Sequence, residues 1–398
     1  MKQGWEIKNF EEVCELIGGS QPAKDDFIYE PKAGYIRLIQ VRDYRSDKFI
    51  TYIPKVKARR FCNKEDIMIG RYGPPIFGIF KGLEGAYNVA LMKANVNENI
   101  CDKNYFFLFL KTNALREFVE HSSKRAAGQD GVRKELLDKY PVPLPPLPEQ
   151  RRIVSILDEA FTAIAKAKVN AEQNLKNAKE LFESYLQGVF ENIKSNGQLY
   201  LLANYLDLIT YGFTNPMPTT SEGPYMVTAK NVKGGIVDYG TARRTSQYAF
   251  DSLITDKCRP VKGDVLLTKD GTLGRLAVVE KPNLCINQSV ALLRPNKQLD
   301  SYYLKELLSS QFYQRLMIEQ AGGATIKHIY ITRVDKMMVP IPTLLEQQAI
   351  VKKLDILSNE TKKLETIYQS KINDLEELKK SVLQKAFSGE LKTAEQCA

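Results

Sequence analysis

The side chains in this sequence with chemistry to offer are cations interleaved with tyrosines and amides. In the first half of the chain they run Arg37, Arg42, Tyr44, Arg45, Lys48, Lys55, Lys57, Arg59 and Arg60, then Arg71 beside Tyr72. A second set follows in the other half: Lys230-Asn231, Lys233, Arg243-Arg244, Lys269 and Arg275. Lysine and arginine neutralise phosphates, while arginine toward guanine and asparagine or glutamine toward adenine read base edges. Lys124-Arg125 and Lys327 belong to two short glycine-containing stretches, 122–129 and 320–327. Glycine there permits close backbone approach to a phosphate or to a neighbouring subunit. Any one of these cations competes with the plain alternative of a solvated surface charge. Together with a formal charge of +10 and a pI near 9.0, they favour a polyanionic partner.

Catalytic patterns are missing by comparison. There are two histidines, His121 and His328, with no H-E-x-x-H and no Cys/His spacing suited to zinc. The six cysteines (Cys14, Cys62, Cys101, Cys258, Cys285 and Cys397) are scattered without C-x-x-C spacing, which suits reduced thiols. Gly235 to Thr241 has a glycine pair but no phosphate-loop lysine, and Tyr72-Gly73-Pro74-Pro75 is not the Asn/Asp-Pro-Pro-Tyr/Phe motif of amino-methyltransferases. No residue is nominated as nucleophile, general base or metal ligand. The expectation is a non-enzymatic binding role in a soluble cytoplasmic protein, since no apolar run approaches the roughly 20 residues needed to span a bilayer and Met1 to Glu6 lacks a signal-peptide core.

What must position these cations is written twice. Glu149-Gln150-x-x-Ile153-Val154-x-x-Leu157-Asp158 returns as Glu346-Gln347-x-x-Ile350-Val351-x-x-Leu354-Asp355, an offset of 197 residues. The same offset carries Pro143 onto Pro340, Pro145 onto Pro342, Leu186-Gln187 onto Leu383-Gln384 and Phe190 onto Phe387. A register kept through so long a segment indicates duplication of a half-chain, and a period this large means tandem domains, not a solenoid.

The globular parts read as mixed strands and loops. Tyr35 to Val41 and Asp66 to Ile69 have strand character, and Gly73 to Pro75 reads as a turn. Pro224 to Val227 and Gly263 to Leu267 correspond to them in the second half, and each half then has an aromatic helix, Asn104 to Phe118 and Ser301 to Ile318. Proline-rich stops at 140–148 and 339–342 end each half; proline fixes φ and lacks the N–H, so these are stiff junctions. Glu149 and Glu346 then fall in a helix first turn, where negative charge suits the dipole.

A long amphipathic helix follows each stop. Ile153, Leu157, Ala160, Ile164, Ala167, Ala171, Ala178, Leu181 and Tyr185 alternate spacings of four and three, with Asn174 interrupting. The counterpart is Ile350, Leu354, Leu357, Leu364, Tyr368, Leu375, Leu378 and Val382, with Thr361 and Lys371 as polar exceptions. A 3.5-residue apolar period sustained over four heptads is a coiled-coil seam, and about 40 helical residues extend roughly 60 Å. Connectivity through the second globular half makes antiparallel pairing of the two helices easy. The fold class is therefore α+β: mixed globular domains at 1–140 and 196–338, with a proline stop and long helix at 141–195 and again at 339–398.

Two variable globular halves, each followed by Pro-x-Pro, Glu-Gln-x-x-Ile-Val-x-x-Leu-Asp and a helix ending in Leu-Gln-x-x-Phe, resemble the specificity subunit of type I restriction-modification systems. The ending Ser381 to Leu391 is similar to that family's C-terminus as well. The resemblance implies that each globular half is a target recognition domain reading one half of a bipartite, asymmetric site in double-stranded DNA. It implies a helical ruler that sets the gap, and two methyltransferase subunits docked on the repeats around Glu149, Gln150, Glu346 and Gln347. S-adenosylmethionine would be bound by those subunits, ATP and Mg by restriction subunits that join them, and no cofactor by this chain. A coiled-coil scaffold binding only protein is the competing reading, and a piece of a longer fused restriction-modification enzyme is a further one, which the complete-looking C-terminus from Gly389 to Ala398 argues against.

Overall fold

The structure, a computed structural model, describes residues 4–72, 76–123, 131–319, 321 and 327–391. The expected turn at 73–75, Lys124, Arg125, residues 322–326 and Cys397 lie outside the described residues. The chain divides into two compact units, 1–171 with 370–398 and 172–369. Each takes one globular half and a stretch of each long helix.

In the first unit, Cys14–Gly18, Leu91–Val96, Ile67–Gly70 and Ile79–Phe80 form one sheet in that order. Tyr52–Pro54, Tyr35–Ile39, Gly85–Tyr87 and Phe61–Cys62 form another. The second unit repeats the plan with Leu206–Tyr211, Val290–Pro295, Val265–Thr268 and Leu276–Val278, then Arg243–Arg244, Thr220–Val227 and Leu284–Ile286. In both, the strand that precedes the first basic loop pairs in parallel with a later strand, Leu38 with Ala86 and Val227 with Ile286. Equivalent glycines let the backbone cross at the sheet corner: a Cβ on Gly19 would lie 1.9 Å from the Asn88 carbonyl oxygen, and one on Gly212 1.8 Å from that of Ile286.

The aromatic helix of each half breaks once. Lys103–Phe109 and Asn113–Ser123 replace the expected single helix, as do Ser301–Ser309 and Gln311–Glu319. A hydroxyl at each break competes for a carbonyl: Thr112 Oγ1 donates to Phe109 O (2.8 Å) and Ser310 Oγ to Leu307 O (2.7 Å).

The proline stops are not bare junctions. Pro141–Leu144 pairs antiparallel with Glu6–Asn9, and Met338–Pro340 with Leu199–Leu201. Two-stranded ribbons tolerate proline because one side of each strand needs no donor. Carbonyls that the prolines leave unmatched are met by side chains, Tyr105 OH donating to Pro143 O (2.7 Å) and Tyr303 OH to Pro340 O (2.9 Å).

The long helices run Leu147–Asn196 and Leu344–Ser388. Within the first unit Ile153 and Leu157 share a core with Leu383 and Ala386, and further along Lys168 pairs with Glu376. Rising numbers on one helix meet falling numbers on the other, so the pair is antiparallel there. In the second unit Leu186 and Phe190 share a core with Leu354, against which Ile350 and Val351 pack.

The buried seam departs from the expected one. Leu157, Ile164, Ala171 and Ala178 are buried at the heptad spacing, but Leu181 and Tyr185 are exposed and Leu186 is buried in their place. The second helix exposes Leu364 and Leu378 and buries Leu383 and Ala386, and Thr361 is buried with its hydroxyl on Leu357 O and Ser358 O. A straight helix drifts about 20° per heptad against a 3.5-residue repeat, so the inward position slips by one residue after several turns.

Gln150 and Gln347 join each helix to its globular half. Both are fully buried. Gln150 Oε1 accepts from the Asp102 N–H (2.7 Å) while Nε2 donates to Ile100 O (2.9 Å) and Pro145 O (2.8 Å). Gln347 repeats this with Asp300 N–H (2.8 Å), Gln298 O (3.0 Å) and Pro342 O (2.8 Å). Losing the amide leaves buried groups unpaired at about 1–3 kcal/mol each. Gln150→Ala and Gln347→Ala are each expected to lower the urea midpoint of the chain with the far-ultraviolet helix signal retained at low urea; melts superimposable on the parent's would remove the amides from the stabilising framework.

Candidate nucleic-acid interface

The strand Tyr35–Ile39 runs into a 3-10 turn at Val41–Tyr44, closed by a reciprocal cap in which the Gln40 N–H donates to Asp43 Oδ2 (3.1 Å). The turn sets Arg42 on the surface and Asp43 beneath it. Arg42 donates to Phe49 O and Thr51 Oγ1, both at 3.3 Å, and its guanidinium stands 5.7 Å from the Phe49 ring. Arg37, on the strand, donates to Asp47 Oδ1 (3.0 Å) with its Nε 3.7 Å from Asp43 Oδ2. Burial pushes the Asp43 carboxyl above the usual carboxylate range, opposed by the Gln40 N–H and by Arg37 and Arg42. Arg45 ends the turn, its N–H on Arg42 O (3.0 Å).

The remaining expected cations of this unit divide by their surroundings. Lys57 is tied to Asp26 at 2.5 Å, whereas Arg59 and Arg60 are exposed. Arg71 lies 5.0 Å over the Tyr72 ring, and its backbone bridges Ala90 O and the Val132 N–H.

The second unit builds the same corner differently. Thr220–Val227 runs into the turn Ala229–Asn231, where the Thr228 N–H donates to Asn231 Oδ1 (2.9 Å). Lys230 is exposed, but Asn231 is buried, and its Nδ2 donates to Thr241 Oγ1 (3.2 Å). Its amide is spent inside the fold, which removes it from the residues able to read a base. Lys233 is paired with Asp238 (2.8 Å), a contact that holds the Asp238 carboxyl down to about 2 together with the Thr241 hydroxyl. Arg243 and Arg244 pair with Met226 and Tyr225 across the sheet; Arg244 donates to Tyr225 OH (2.7 Å) and Gly223 O (3.0 Å).

Lys269 corresponds to Arg71: the Ile329 N–H donates to its carbonyl as that of Val132 does to Arg71 O. Its ammonium contacts Asp270 (2.9 Å) and stands 5.4 Å from the Tyr211 ring, while His328 Nδ1 lies 2.5 Å from Asp270 Oδ1. Arg275 and Lys327 are exposed. The structure thus gathers Arg37 with Arg42, Arg71 with Tyr72, Arg243 with Arg244, and Lys269 with Asp270 and His328.

Residue type alone missed a cleft in the second unit lined by Thr214, Asn215, Arg243, Asn287 and Gln288. Gln288 is exposed, and its backbone N–H bonds to Phe213 O at 2.8 Å. Amides beside an arginine at a strand end are the signal that was there to be used.

The docking expectation needs correction at two positions. The buried amides of Gln150 and Gln347 offer no surface to a partner, because all their hydrogen bonds close inside their own units. Glu149 contacts Arg152 (2.5 Å), and Glu346 accepts from the Thr343 hydroxyl and N–H, which hold its carboxyl below the usual range.

Among the described residues, no three His, Cys, Asp or Glu side chains are grouped to hold a metal ion, and no helix is long and apolar enough to cross a membrane. The five described cysteines are free and buried; burial pushes the Cys62 thiol up to about 11 and those of Cys101 and Cys285 to about 12.

Residues 2–175 and 217–374 match the family described as type I restriction modification DNA specificity domain. The MjaVIII specificity subunit of Methanocaldococcus jannaschii is 22% identical, the match covering 98% of this chain and 93% of that protein. The EcoBI specificity subunit of Escherichia coli is 24% identical over 89% and 80%. The HsdS subunit from Thermoanaerobacter tengcongensis shares the fold, with a TM-score of 0.68 at 19% identity and 98% of each chain covered. A chain of a type I R-M system solved for its complex assembly and conformational transition superposes with a TM-score of 0.77 at 20% identity, covering 98% of this chain and 99% of that one. With the repeated helix start, the paired mixed sheets and the match over most of its length, the chain belongs to the type I restriction-modification DNA specificity family.

Proposed function

We propose that this chain is the non-catalytic, cytoplasmic reading subunit of a type I restriction-modification complex. Each globular half reads one half of a bipartite, asymmetric site in double-stranded DNA, and the long helices fix the gap. Two methyltransferase subunits dock along the repeats and carry S-adenosylmethionine; restriction subunits using ATP and Mg join that core. The observation that carries this reading is one platform built twice, strand, capped 3-10 turn and basic loop, with different side chains on equivalent backbone. Duplicated scaffold with divergent loops is the signature of two related reading tasks, since loops carry specificity on rigid frames. Two modules each contributing mismatch costs of about 1–3 kcal/mol per base pair gain specificity by addition.

Methylation-aware sequencing of a host expressing this chain with its methyltransferase partner is expected to show a bipartite motif with a fixed gap, methylated at adenine on both strands and absent when the chain is omitted. A soluble complex that adds no motif would favour a protein-only scaffold. Removing Glu172 to Leu175 takes out about one turn, or about 6 Å, and is expected to shorten the recognised gap by about one or two base pairs at about 3.4 Å per step; an unchanged gap would dismiss the helical ruler. Arg71→Ala and Lys269→Ala, compared across salt concentrations, are expected either to relax one position of the target or to weaken binding evenly with a shallower salt slope. No change in either quantity would return that residue to the plain surface.

A further inference from the structure

The capped turn that follows the parallel strand is the same backbone device in both units, but its buried anchor differs in charge. Gln40 and Asp43 close it in the first, Thr228 and Asn231 in the second, and both anchors are 5% exposed. The residue just before the anchor is an exposed cation in each, Arg42 and Lys230. Three residues before the cap stand Arg37 in the first unit and Tyr225 in the second.

In the first unit the anchor is a carboxylate whose side chain is wholly inaccessible, with Arg37 Nε 3.7 Å from one oxygen and Arg42 Nε 3.9 Å from the other. Among the described residues, neither Arg37 Nε nor Asp43 Oδ1 has a hydrogen-bond partner. The carboxylate therefore holds the two guanidiniums by charge, at distances longer than a hydrogen bond. Asp47 and the Phe49 and Thr51 oxygens fix the outer ends of the two side chains. In the second unit the neutral Asn231 turns to the Thr241 hydroxyl, and Arg244, on the strand paired with Tyr225, packs on that ring at 4.1 Å from its centroid.

We propose that Asp43 is a positioning residue for DNA recognition, aiming Arg37 and Arg42 as one fork at the first half-site, while Lys230 meets the second half-site from an uncharged turn. The inference rests on the reading of each globular half as a DNA-recognition module. It adds that the two modules are wired differently: the charge at position 43 matters to one half-site alone.

The second unit supplies the control, because Asn231 closes the same cap with an amide. Asp43→Asn keeps the turn and removes the charge. In the complex of this chain with its methyltransferase subunits, binding is measured on the parent target and on targets mismatched in one half-site or the other. Asp43→Asn is expected to reduce discrimination about tenfold in the first half-site, equivalent to about 1.4 kcal/mol, and to leave the second unchanged. Arg42→Ala is expected to produce a loss in the same half-site, and adding Asp43→Asn to it to cost less than the two single losses combined, since the carboxylate acts through the arginine. Equal loss in both half-sites, no loss in either, or full additivity would overturn the proposal. Should Asp43→Asn fail to assemble, Arg42→Ala decides alone, and an effect in the second half-site or in none overturns it. A parent complex without half-site selectivity would topple the recognition reading itself, an outcome distinct from a selective parent whose variants behave like it.

Discussion

Each unit depends on one buried amide. The glutamine in the first turn of the long helix accepts from the N–H of the aspartate that caps the aromatic helix, and donates to carbonyls on either side. That aspartate in turn caps its helix by accepting from two backbone N–H groups, those of 104 and 105 or of 302 and 303. A shift of the long helix therefore breaks bonds that also orient the aromatic helix and the proline ribbon. Buried polar groups that fully satisfy one another specify a single arrangement, and a partial arrangement is costly. The recognition loops are carried on a frame whose angle to the long helix is set by hydrogen bonds, with apolar packing filling in behind.

The duplication explains why framework and surface follow different rules. Framework positions match across the repeat: Gln150 with Gln347, Tyr105 with Tyr303, Gly19 with Gly212. Positions in and around the turns, on matching backbone, change charge, shape and partner: Arg37 against Tyr225, the buried Asp43 against the buried Asn231, Tyr72 against Asp270. A capped turn tolerates this because the cap uses only a side-chain oxygen at its third position, which aspartate and asparagine both supply.

Much of the frame was legible in the sequence. Repeated spacing exposed the duplication and the first helical turns at Glu149 and Glu346, and apolar, β-branched residue types exposed the strands at 35–39 and 224–227, though the first was expected to run on to Val41, which lies in the turn. In the first helix the seam was legible only as far as Ala178, because periodicity counted in whole residues cannot register the slow drift that exposes Leu181 and buries Leu186. The buried glutamines were misread because a polar residue in a first helical turn ordinarily faces water; their partners, Asp102 and Asp300, lie 48 and 47 residues away. Among the cations, Lys57 carries no mark in the sequence of the carboxylate that occupies it, since Asp26 stands 31 residues away, whereas Asp238 and Asp270 stand close enough in sequence to Lys233 and Lys269 to have been read. The turn cations Arg42 and Lys230 were legible as exposed charge, and their shared backbone setting was not.

The division of the chain also dictates an order of assembly during synthesis. Residues 172–369 form a continuous unit, whereas the first unit is completed only by 370–398. Phe387 packs on the rings of Tyr105 and Phe109 at 4.9 and 5.6 Å between centroids, and Leu383 and Ala386 lie in the same core. The half made first on the ribosome thus waits for Leu383, Ala386 and Phe387, made after the whole second unit, to complete its core. The half made second closes before it. A nascent chain that stalls short of Leu383 carries every residue of the second unit and a first unit still lacking Leu383, Ala386 and Phe387 from its core.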